Sequence, residues 1–127
     1  MIEVWLGKTA LTVRGHAGFS RYGSDIVCAA ASMLAFALAE AVQAAGMKTP
    51  PVIELGCGRF RLEVSADKRE QARLDGMFET VRAGYRLLSA RYPDYVRVLG
   101  ERDPENKLER PECRPLEGQK EEKDEKF

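Results

Sequence analysis

The chain has 127 residues, 44% of them hydrophobic, and a formal net charge of zero at pH 7. Length and apolar content suit one domain with one core, and the charge balance excludes a nucleic-acid surface made by bulk positive charge. The balance is uneven along the chain: residues 1–99 carry 13 Lys and Arg against 10 Asp and Glu, net +3, and residues 100–127 carry 7 against 10, net −3.

Residues 2–6 alternate apolar and polar up to Gly7-Lys8, and residues 9–14 alternate again, which predicts a β-hairpin. A glycine-punctuated loop covers 15–24. Residues 25–45 predict a long helix, with Ser24 or Asp25 as N-cap and Gly46 just past its end. This stretch is apolar nearly all round, so it needs cover on more than one side: a sheet on one, a second copy of the chain on another. Cys28, Ser32, Glu40 and Gln43 interrupt it, which argues against a membrane span. Residues 51–56 and 59–65 predict a second hairpin, turned at Gly56-Cys57-Gly58. In 67–91, Leu74, Met77, Phe78, Val81, Tyr85 and Leu88 recur at three- and four-residue steps and predict an amphipathic helix stopped before Pro93. Residues 94–99 are compatible with a short final strand. The fold class expected is α/β in the α+β sense, two layers, β-β-α-β-β-α, with a small antiparallel or mixed sheet and the helices on one face. Residues 1–99 form the domain; 100–127, rich in Glu, Lys, Arg and Pro, form a charged tail too polar to fold by burial, expected to be disordered.

His16 is the only histidine, and Cys28 follows twelve residues later at the start of the long helix. A thiol nucleophile needs a base, and one imidazole is available. The helix start favours thiolate, lowering the thiol pKa, and its amides are candidates to bind an oxyanion. Asp25, Cys28 and Ser32 share a helix stripe; Asp25 either orients the imidazole or caps the helix. Each residue also has a plain use: Cys28 as a small buried side chain, Ser32 bonding back one turn, and Gly15, Gly18 and Gly23 serving turn geometry. The residues alone lead to a possible thiol-dependent acyl-transfer or redox site.

The run Gly15-His16-Ala17-Gly18-Phe19, followed by Gly23-x-Asp25-Ile26-Val27-Cys28-Ala29-Ala30-x-Ser32, resembles the signature of Prp, the bacterial ribosomal-processing cysteine protease family. The resemblance covers roughly residues 1–99, including Tyr92-Pro93-Asp94-Tyr95-Val96, and gives no account of the tail. Phe19-Ser20 stands where Tyr-Ala is commoner. The resemblance implies Cys28 as nucleophile, His16 as general base, and Asp25, Ser32, Gly15, Gly18 and Gly23 as supporting or substrate-contacting residues. It implies removal of a short N-terminal extension from ribosomal protein L-twenty-seven, cut after a hydrophobic, aromatic-containing sequence, by a homodimer that needs no cofactor or metal. The loop would close over substrate, so His16 and Cys28 need not meet beforehand.

Three widely spaced cysteines, Cys28, Cys57 and Cys113, and no signal peptide argue for a reducing, cytoplasmic setting, with no nucleic-acid or membrane partner. Two further readings remain: a non-catalytic dimeric ribosome-associated binding module, and a redox thiol at Cys28 with Cys57 approaching it in space.

Overall fold

The computed structural model describes residues 1–21 and 23–101. Five strands and two helices follow in chain order: β1 (Ile2–Leu6), β2 (Ala10–Arg14), α1 (Ile26–Ala45), β3 (Val52–Gly56), β4 (Arg59–Glu63), α2 (Lys68–Arg91) and β5 (Val96–Gly100). The expected α+β layout holds, with small shifts at element ends. The strands form one sheet in the order β3-β4-β2-β1-β5. All neighbours are antiparallel except β5, which lies parallel to β1 and makes the sheet mixed. The final strand, expected over 94–99, runs from Val96 to Gly100. The expectation of a disordered tail falls on residues outside those described.

Register decides which face is buried. Ladder partners Val4 and Val13, Leu6 and Leu11, Val13 and Phe60, and Leu11 and Leu62 all point to one face. All of these are nearly inaccessible and join the core with the helices. Glu3, Trp5, Thr12, Arg14, Arg59 and Arg61 take the opposite face, as period-two alternation requires.

Helix α1 is long and apolar enough by length and composition to cross a membrane. Here Val27, Ala31, Ala35, Leu38 and Val42 bury into the core. Asp25 is its N-cap and Gly46, at φ 68°, ends it in the left-handed region, so both expected termini hold. Helix α2 starts with a capping box between Asp67 and Glu70. Its Leu74, Phe78, Val81, Tyr85 and Leu88 are buried, as their spacing predicted, and Met77 is half-buried.

Tyr85 joins the helices through more than area. It is fully buried, and its hydroxyl donates to the Ala31 carbonyl at 2.8 Å. Burial pushes its phenol well above the usual tyrosine range, so it stays a donor at any physiological pH. Tyr85→Phe keeps the ring and removes this bond; chemical denaturation is expected to read a loss of about 1 kcal/mol.

Candidate active site

The glycine-punctuated loop, the start of α1 and the β3–β4 turn meet at the end of the sheet where β1 begins. Gly15 sets the entry. Its N–H donates to the Gly58 carbonyl at 2.8 Å, its φ is +95°, and a Cβ there would collide with the Met1 carbonyl oxygen. Gly18 and Gly23 also have positive φ, so all three loop glycines hold backbone conformations that other residues rarely take.

Asp25 organises the rest. Its Oδ1 accepts from the amides of Val27 and Cys28, both at 3.0 Å, and its Oδ2 from Phe19 at 2.9 Å and Ser20 at 3.1 Å. One buried carboxylate thus caps α1 and pins the loop to it. Asp25 serves as the cap, and each of its oxygens accepts from two backbone amides. This also corrects the expectation for the oxyanion. The amides of Val27 and Cys28 serve the cap, and that of Ala29 bonds the Asp25 carbonyl at 3.0 Å.

A different donor faces the sulfur. The N–H of Ala17 points at Cys28 Sγ at 3.3 Å. Cys28 is a free thiol, half-buried, in the first turn of α1. Ser32 is half-buried one turn further along the same stripe. Sequence periodicity gives no sign of the Ala17 contact, because it depends on how the loop folds back.

His16 adjoins Ala17, but its ring turns toward the β3–β4 turn. Nε2 lies 4.0 Å from Cys57 Sγ, and a Cβ on Gly58, which has φ +65°, would stand 2.7 Å from Nε2. The His16 carbonyl accepts from the Met1 ammonium at 2.6 Å. Cys57 therefore approaches the imidazole, while the hydrogen-bond partner of Cys28 is Ala17. On the loop's other side, the Phe19 ring packs edge-on to Tyr92 and Tyr95, with centroids 5.5 Å and 5.2 Å away. The resemblance drew attention to Phe19 and this tyrosine segment without indicating that they touch.

Electrostatics set the resting protonation. Burial, helped by the nearby N-terminal ammonium, moves the imidazole below its usual value, against a smaller opposite pull from Asp25. Burial pushes the Cys28 thiol up; the Asp25 charge adds to this, and the Ala17 hydrogen bond and the ammonium oppose it. The sign is the reverse of the depressed thiol expected from the helix start alone. The pair rests as thiol and neutral imidazole. Among the described residues no group of three His, Cys, Asp or Glu is placed to hold a metal ion.

Alkylation by iodoacetamide follows thiolate. In substrate-free protein, the Cys28 alkylation rate is expected to climb with a midpoint above the ordinary thiol value of about 8.5. A midpoint below neutrality would mean a preformed thiolate–imidazolium pair.

A family model described as cysteine protease Prp matches residues 1–97. No curated protein matches the chain. Among solved structures, the essential ribosomal processing protease Prp of S. aureus with a covalently linked product peptide is 21% identical, with a TM-score of 0.60 over 79% of this chain and 97% of that one. The same S. aureus protease with a substrate peptide is 18% identical, TM-score 0.56, over 79% and 97%. The protein SMU.848 from Streptococcus mutans is 24% identical, TM-score 0.58, over 79% and 91%. At these identities the structures establish a common fold.

Proposed function

The chain belongs to the cysteine protease Prp family, and from that premise, which makes it a cysteine-type endopeptidase, we propose that Cys28 is the nucleophile and His16 the general base. One observation carries the assignment: the amide following His16 bonds the Cys28 sulfur. The backbone that carries the base already lies over the thiol, and a change in the His16 side chain and the loop around it separates the resting site from a working one.

Substrate lies extended across the start of α1, and closure of the loop turns His16 from the β3–β4 turn toward Cys28. Neutral His16 takes the thiol proton while sulfur attacks the scissile carbonyl. The new C–S bond leaves an oxyanion near the Ala17 N–H, the amide already aimed at the sulfur. Collapse breaks the C–N bond, and His16 returns the proton to the leaving amine. Water, deprotonated by His16, hydrolyses the thioester and restores the thiol. Asp25 acts as a positioning residue through the loop. Ser32 and the loop glycines Gly15, Gly18 and Gly23 shape the substrate path. No step requires a cofactor or metal.

The substrate class we infer is a ribosomal protein, specifically the N-terminal extension of the L-twenty-seven precursor, processed in the cytoplasm. Two supports stand behind it: the sequence resemblance, and the likeness in fold to a protease described as ribosomal processing. A peptide of the host's own L-twenty-seven N-terminus is expected to be cut once by the wild type. Cys28→Ala is expected to fold and cut nothing, and His16→Ala to lose about 10²–10⁴-fold in kcat/KM. Cleavage by Cys28→Ala at the wild-type rate would remove the assignment. Binding without cleavage by the wild type would favour a binding module.

The working unit we infer is a homodimer. Between α1 and α2 an outward groove of about 380 Å³ is lined by apolar residues of both helices, among them Ala30, Met33, Leu34, Leu87 and Leu88, with Arg91 at one side. Met33 and Leu87 in its lining are 64% and 67% exposed, an apolar surface that a second copy would cover. Met33→Glu with Leu87→Glu is expected to convert dimer to monomer in analytical ultracentrifugation. An unchanged dimer would place the interface elsewhere.

A further inference from the structure

Phe19 is a large apolar ring left 40% exposed on the loop beside the candidate site. It meets Tyr92 and Tyr95 edge to face, with interplanar angles of 76° and 84°. The two tyrosines belong to a firmer part of the fold. The Tyr92 N–H donates to the Leu88 carbonyl at 2.9 Å, and the Tyr92 carbonyl accepts from Tyr95 at 2.9 Å and Val96 at 3.0 Å. The Tyr95 carbonyl accepts from Ile2 at 2.8 Å. Both tyrosines are half-buried and pack against the hydrophobic core. Phe19 is carried instead by the loop, whose hold on α1 is the Asp25 carboxylate.

Two tyrosines that take a third ring in this way form a cradle selective for a ring over aliphatic bulk, because the edge-to-face geometry draws on the ring quadrupole as well as on area. The cradle lies close to the thiol. The amides of Phe19 and Cys28 bond the two oxygens of one carboxylate, at 2.9 Å and 3.0 Å. A few residues of extended peptide, about 3.3 Å each, therefore span the interval from Cys28 to the tyrosines.

We propose that Tyr92 and Tyr95 determine specificity by binding an aromatic side chain of the substrate, and that Phe19 is the chain's own occupant of their cradle in the resting state. This rests on the reading of Cys28 and His16 as the reacting pair. A substrate ring that takes the place of Phe19 exchanges one set of edge contacts for another, so displacement is nearly balanced. It also frees the loop from the end of α2, which makes recognition and loop movement one event. An aliphatic side chain has to displace Phe19 without replacing its contacts.

Binding tests this apart from catalysis. The full chain carrying Cys28→Ala is titrated against labelled peptides of the host's L-twenty-seven N-terminus, made with either phenylalanine or leucine at each large apolar position, and read by fluorescence anisotropy. The phenylalanine peptide is expected to bind about tenfold tighter than the leucine peptide. Adding Phe19→Ala is expected to tighten both several-fold by emptying the cradle. Adding Tyr92→Leu and Tyr95→Leu is expected to abolish the preference, with circular dichroism checking the fold. If that variant does not fold, Phe19→Ala carries the test. Weaker or unchanged binding of the phenylalanine peptide to the Phe19→Ala protein would overturn the proposal, as would equal affinity for the two peptides or binding of neither. With Cys28 restored, kcat/KM is expected to follow the same order. The expected binding pattern without any cleavage would uphold the cradle and overturn the Cys28 and His16 reading instead.

Discussion

A single carboxylate holds the site together. Four backbone amides from two segments converge on Asp25. A carboxylate as buried as this one is tolerable only when its oxygens are fully engaged, and charge-assisted bonds to amides meet that demand. The constraint works in both directions. The loop fixes its path by supplying donors, and α1 begins where it does because the same group ends its orphan N–H groups. The meeting of Ala17 with the Cys28 sulfur follows from this shared anchor, since Ala17 lies two residues before Phe19 and Cys28 three after Asp25.

The anchor leaves the thiol and the imidazole uncommitted. Burial raises the thiol and lowers the imidazole, so each sits in its neutral form. A neutral pair is poor at attacking a carbonyl until the base is brought within reach. The His16 ring rests on the β3–β4 turn, with Nε2 4.0 Å from Cys57 Sγ. On the proposed assignment of Cys28 and His16, this resting protonation calls for a movement of the loop before reaction.

Much of this was legible in sequence because it rests on local rules. Alternation gave the hairpins, three- and four-residue spacing gave α2, and Asp25 and Gly46 marked the ends of α1 by their chemistry. What was illegible is non-local. That β5 pairs in parallel with β1 depends on residues more than ninety apart, and no short pattern encodes it. The role of Asp25 was ambiguous because an aspartate at a helix start fits a cap and a histidine partner equally well. The oxyanion expectation failed for the same reason: capping consumes the donors that a bare helix start would offer. The thiol shift was misjudged because sequence shows the helix end but not the depth at which Cys28 sits.

The strand order also dictates when the site can exist. β1, the first strand made, lies between β2 and β5, so one of its edges stays open until β5 has been synthesised. The Ile2 amide waits for the Tyr95 carbonyl, and the ring of Phe19, on the loop beside the candidate base, waits for Tyr92 and Tyr95. Pairing across so long an interval is slow and closes late. A nascent chain short of residue 95 can form both hairpins and α1 and still lack the wall against which its loop rests. The loop beside the candidate base therefore gains its full support only once β5 and the tyrosines before it have been made.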